Sequence, residues 1–222
     1  MKATYLLINL LTIAFPIALS FDKKVHFAQY WRHLFPAIGL SGLLFLVWDV
    51  LFTKYGVWSF NARYVLGWGL QGLPFEELLF FVTVPFACVF IYECIRYYFP
   101  QKPSALLVNM STSALLAYSA LMLFLYPDRL YTFITFGLCL ALCLVVLWLK
   151  PVWLGQFYGA FLVSLLPFYL VNGLLTSLPV VLYNNAQNCG FRIGTIPFED
   201  HFYSFDLLLL TLFFYERFKK QA

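Results

Sequence analysis

Two short stretches hold the residues of this sequence best suited to chemistry: Pro74-Phe75-Glu76-Glu77 and Pro197-Phe198-Glu199-Asp200. In each, adjacent carboxylates follow a proline at the start of an apolar run. A proline at the first helical position and acids in the first turn are what any helix start favours, so one copy alone would say little. Two copies in register say more. Desolvation and neighbouring carboxylates raise an acid's pKa, while a helix N-terminus lowers it. A shared, partly dry cluster therefore keeps one member protonated and another ionised. Such a cluster can give a proton at one point and remove one at another.

Other polar residues sit close to these motifs. Asp49 and Asn172 lie near the ends of the apolar segments before them, and His201 adjoins Asp200 as a base or a polar neighbour. Glu199, Phe202, Tyr203 and Asp206 fall at i, i+3, i+4 and i+7, one stripe of a helix. Glu76, Phe80 and Thr83 form the matching stripe of the first motif. Adjacent helical residues point about 100° apart, so Glu77 and Asp200 leave that stripe. An acid inside a membrane span costs roughly 2.5–3.5 kcal/mol, which marks Asp206 as a functional candidate. The expected acid–base set is Glu76 and Glu199, with Glu77 and Asp200 orienting them or relaying protons. Asp49, Asn172 and Asp206 would support that set or act as alternative donors. Phe80, Phe81, Phe202 and Tyr203 would line a pocket whose π faces steady a cation, although packing or lipid contact also explains each of them. At the far ends of the motif helices, Glu93 with Arg96 and Glu216 with Lys219 read as surface ion pairs.

The elements that position these residues are duplicated. From Glu76 to Glu199 is 123 positions, and the same offset carries Asp49 to Asn172, Val57 to Val180, Asn61 to Asn184 and Gly67 to Gly190. Phe90-Ile91-Tyr92-Glu93 falls on Phe213-Phe214-Tyr215-Glu216. The 222 residues are 63% apolar and 11% charged, with 26 phenylalanines, far from a soluble domain. Long apolar runs rather than alternation predict an all-α polytopic membrane protein, since helices satisfy their own backbone in lipid. About seven spans are expected, over 4–20, 34–53, 75–99, 105–126, 130–149, 154–182 and 198–218. A cleaved signal peptide is the competing reading of the first. The organisation is two parallel three-helix repeats, 1–104 and 128–222, joined by a linking helix at 105–127. Both acidic motifs then open at the same membrane face. Five Lys and Arg lie on the N-terminal side and nine on the other, which places the N-terminus outside and the C-terminus in the cytoplasm. Trp58, Tyr64 and Trp68, in a long connection, suit an interfacial belt.

Several classes are not indicated. The net charge of +4 resides in loops and ends, so it reports topology and not nucleic-acid binding. The five cysteines have no zinc or disulfide spacing, and Cys139 and Cys143 read as small buried hydrophobes. No metal site and no glycine-rich nucleotide fingerprint is present, so no cofactor is expected. The last span has no lysine before Lys219, which excludes a mid-helix retinal Schiff base.

At its motifs the chain resembles the integral-membrane, flavin-independent lycopene β-cyclases. Trp48-Asp49, Phe52-Thr53, Gly56-Val57-Trp58, Phe60-Asn61, Pro74 to Glu77 and Phe80-Phe81 resemble the first half of that family. Asn172-Gly173, Gly190 to Gly194, Ile196 to Asp200 and Phe202-Tyr203 resemble the second. The resemblance implies the fused form of a two-subunit bacterial enzyme. Its substrate would be lycopene taken from the bilayer, and its reaction a redox-neutral acid/base cyclisation to β-ionone rings in carotenoid biosynthesis. It further implies an isomerase in a bacterial inner membrane among membrane lipids, compatible with a homo-oligomer or contact with other carotenoid enzymes. The alternatives are a related carotenoid end-group-modifying enzyme, a proton-coupled transporter using the same buried acids, and a non-catalytic scaffold.

Overall fold

The structure is a computed structural model describing residues 2–220. Among them are seven α-helices: α1 (Thr4–Leu19), α2 (Trp31–Lys54), α3 (Phe75–Tyr98), α4 (Ala105–Leu125), α5 (Leu130–Leu149), α6 (Leu154–Ser177) and α7 (Glu199–Lys220). A 3-10 turn, Phe27–Tyr30, extends α2 at its start. Phe27–Lys54 and helices α3 to α6 are each long and apolar enough to cross a bilayer. At 16 residues α1 is shorter. The chain is an all-α polytopic membrane protein. Its outward faces are apolar, with Phe15, Phe124, Trp148 and Leu166 largely exposed, and in lipid such exposure carries no penalty.

The sixth helix stops five residues short of the expected 182. Pro179 cannot continue the helix, and Leu178 before it is turned away from helical geometry. The chain then enters a strand, β4 (Val181–Tyr183), which pairs antiparallel with β1 (Trp58–Phe60). In this ladder Ser59 faces Leu182, the residue 123 positions on. The flanking bonds are reciprocal, from Asn61 N–H to the Val180 carbonyl and from Asn184 N–H to the Val57 carbonyl, both 2.9 Å. A pseudo-two-fold axis passes through this pair. Two small hairpins, β2 (Gly69–Leu70) with β3 (Leu73–Pro74) and β5 (Arg192–Ile193) with β6 (Ile196–Pro197), lead into α3 and α7.

Helix packing obeys the same axis. The second helix of each half packs on the third helix of the other, α2 on α7 and α6 on α3. Within each half α1 packs on α3 and α5 on α7, while α4 lies against α5. At the end away from the strands the acids cross over. Glu216 accepts from the Tyr92 hydroxyl at 2.8 Å and Arg96 at 2.7 Å; Glu93 accepts from the Tyr215 hydroxyl at 2.7 Å and Lys219 at 2.8 Å. These glutamates are buried, at 5% and 7% exposure, so the expected surface pairs are instead a tie between the two halves. The Arg96–Glu93 contact within α3 survives at 3.2 Å. Trp58 also departs from expectation. It is buried beside Asp49 rather than placed in an interfacial belt, whereas Trp68 is 76% exposed.

Candidate active site

Each motif places two carboxylates in the first turn of α3 or α7, and the turn sends them in different directions. Glu76 and Glu199 are fully buried and point back at their own loops. Glu76 Oε1 accepts the Leu66 N–H at 2.8 Å, and Glu199 Oε1 accepts the Cys189 N–H at 2.7 Å. Leu66 and Cys189 are repeat equivalents, and each precedes a glycine with positive φ, Gly67 at 92° and Gly190 at 80°. Glycine permits the turn that presents those amides inward. Thr132 on α5 adds a 2.5 Å bond to Glu199, and Asn9 on α1 bonds the Glu76 carbonyl at 2.9 Å and accepts from Thr83 at 2.7 Å. These two acids clamp loops to helix starts. Burial pushes the Cys189 thiol up to about 11.

Glu77 and Asp200 point the other way, into a chamber between the halves. The Tyr5 hydroxyl donates to Glu77 at 2.5 Å. Asp200 receives Tyr131 at 2.6 Å, Tyr183 at 2.8 Å and the Asn172 amide at 3.3 Å. Burial holds the Tyr183 phenol well above its ordinary range, so this loop residue remains a donor. Asp49, an electrostatic neighbour of Glu77, accepts from the Trp58 indole at 2.7 Å through Oδ1, while its Oδ2 has no partner. Phe80 and Tyr203 are the chamber's aromatic walls on α3 and α7.

From this chamber an apolar groove runs between α3, α6 and α7 towards the lipid-facing side. Phe80, Asn172, Asp200 and Tyr203 line both spaces, so Asp200 stands at the junction. The remaining sequence candidates lie elsewhere. Phe81 is buried against Phe45 and Leu207, and Phe202 packs on Tyr118 and Phe136. His201 reaches the Phe198 carbonyl and the Tyr169 hydroxyl rather than the chamber. Asp206 is fully buried beside Cys139, with neither oxygen hydrogen-bonded to a nitrogen or oxygen donor. The cysteines are free, and the described residues contain no cluster of metal-ligating side chains.

Sequence reasoning missed the tyrosines that meet the chamber acids. Tyr5 and Tyr131 make matching bonds but are 126 positions apart, three more than the repeat. The offset instead pairs Tyr131 with Ile8, one helical turn from Tyr5 on the same face. A tyrosine at either position reaches the same spot, and the slip hides the likeness.

No solved structure matches this chain. A curated relative from Neurospora crassa, a bifunctional lycopene cyclase/phytoene synthase, is 32% identical over 83 residues, which are 37% of this chain and 12% of that protein. The chain thus matches only about an eighth of that relative's length. The family model described as lycopene cyclase matches residues 2–95 and again 128–218, two stretches ending on the repeat equivalents Ile95 and Phe218. With Glu77 and Asp200 facing one chamber between its halves and that model covering most of its length, the chain belongs to the lycopene cyclase family.

Proposed function

We propose that the chain is a lycopene β-cyclase, an isomerase that closes the acyclic ends of lycopene into β-ionone rings without gain or loss of electrons. A carboxylic acid of the Asp49–Glu77 pair protonates the terminal double bond of the polyene. The tertiary cation that results is attacked by the neighbouring double bond within the chain, which closes the six-membered ring. Asp200 then removes a proton from the ring and restores neutrality. Hydrogen-bond supply supports this division. Asp200 already receives three donors and is set up as an acceptor. Asp49 is an electrostatic neighbour of Glu77 and keeps one carboxyl oxygen, Oδ2, free of any hydrogen bond, which suits this pair to the donor role. Phe80 and Tyr203 line the chamber and would present π faces to the passing cation. Glu76 and Glu199 hold the loops that roof the site.

The observation that carries this reading is the continuity of an apolar groove with a chamber holding Glu77 and Asp200. The two three-helix units, 1–104 and 128–222 about the helix at 105–127, would share this one chamber. We place the chain in a bacterial cell membrane with the C-terminus in the cytoplasm, on the excess of Lys and Arg at that side. Expression in lycopene-accumulating cells, followed by chromatography of the pigments, tests the function. γ-Carotene and β-carotene are expected, and unchanged lycopene would refute it. A proton-coupled transporter would leave the pigments untouched.

A further inference from the structure

The duplication predicts two grooves, and the structure has kept one open. The repeat offset converts the open groove's wall into a second set of positions on the opposite side. There Val171 is replaced by Trp48, Ser204 by Phe81 and Pro167 by Leu44, while Phe168 keeps its aromatic ring as Phe45. Apart from Leu44, which faces outward, that second set is packed together. Phe45 and Phe81, both 1% exposed, form a cluster with Leu207, and Trp48 and Tyr203 close over it. Ring centroids are 5.1 Å apart for Phe45–Trp48, 5.0 Å for Phe45–Tyr203 and 4.9 Å for Trp48–Tyr203. Deeper, Ser41 and Thr211 hydrogen-bond at 2.7 Å.

We infer that the chain has a single substrate groove, between α3, α6 and α7, which admits one end of a linear polyene from the bilayer, and that Val171 and Ser204 keep it open. This rests on the cyclase reading above and adds to it the route and the number of ends handled at once. The occupant follows from the walls. They are almost wholly apolar along α3 and α6, open to the lipid side, and end at Asp200. A long, slender methyl-branched polyene with its reactive double bond at the tip fits those three conditions. A swap of valine for tryptophan and serine for phenylalanine would fill this space as the mate is filled. A second ring on the same molecule then requires release, reversal and re-entry, so the singly cyclised carotene leaves the enzyme between rounds.

The test is a size series in lycopene-accumulating cells. Wild type is compared with Ser204→Val, Ser204→Phe, Val171→Leu and Val171→Trp, with membrane content measured for each. Leu162→Trp, on the outward face of α6 at 65% exposure, controls for added bulk. Cyclised product is expected to fall with side-chain volume, by about tenfold or more for Val171→Trp and Ser204→Phe. Leu162→Trp is expected to stay within about twofold of wild type. If the largest variants fail to accumulate, the Val and Leu substitutions carry the series. Wild-type product from bulky variants present at wild-type level would overturn the groove. A wild-type chain that makes no cyclic carotene would instead overturn the function, and that result is read before any variant is compared. Early time points should show γ-carotene ahead of β-carotene; β-carotene appearing without it would overturn the one-end-at-a-time inference.

Discussion

The two halves of this molecule share a backbone plan and differ in what fills it. Asp49 beside Glu77 in the first half becomes Asn172 beside Asp200 in the second. Thr83, hydrogen-bonded to Asn9, becomes Asp206, which has no nitrogen or oxygen partner. Trp48 and Phe81 plug one side where Val171 and Ser204 leave the other open. A perfectly symmetric pocket would offer a substrate two identical carboxylates. An acid-then-base sequence needs two unequal ones. Asymmetry within a symmetric frame supplies them.

The sharpest way to break this comparison is to neutralise the acids that face the chamber. Glu77→Gln and Asp200→Asn should each lower cyclised carotene by about 10²–10⁴-fold at unchanged membrane content, read by pigment chromatography. Equal losses in Glu76→Gln and Glu199→Gln would return the chemistry to the outer pair. Next come the donors to Asp200. Tyr131→Phe and Tyr183→Phe should each cost about tenfold in product formation, the range expected for a hydrogen bond to a charged group.

A smaller effect separates clamp from catalyst. Glu76→Gln and Glu199→Gln keep an oxygen for the loop amides and should retain most activity. Their alanine counterparts leave those amides unpaired and should lower thermal stability in detergent by about 1–3 kcal/mol. Last, Asp206→Thr installs the residue of the first half. Removing a buried carboxyl that has no nitrogen or oxygen partner should raise stability by about 1–3 kcal/mol with activity within about twofold, because Asp206 does not line the chamber. A large loss of product in Asp206→Thr would restore it as a proton donor.

Much of this was legible beforehand. The class followed from composition, and the helices from apolar run length, because in lipid those two quantities leave few options. The repeat was visible as an offset, and that offset located the acids to within a turn. What it could not supply was direction. Glu76 and Glu77 are sequence neighbours, and only the position of the Leu66 amide decides which turns outward to the loop. That amide is presented by a glycine turn whose geometry no spacing rule encodes. The strand pairing was also hidden, since β1 and β4 are three residues each and sit 123 positions apart. The crossed Glu93 and Glu216 contacts escaped because the i+3 partner was in plain view and the partner across the axis was not.

The reciprocal ladder at Ser59 and Leu182, and the exchanged tyrosines and cations at the opposite end, have a consequence for ancestry. Contacts of the form i to j and j to i are those of an isologous dimer. A single three-helix polypeptide able to make them would have assembled with its own copy before any fusion. Two such copies joined through α4 would each be free to drift separately. One could fill its cleft with tryptophan for stability while the other stayed hollow for use.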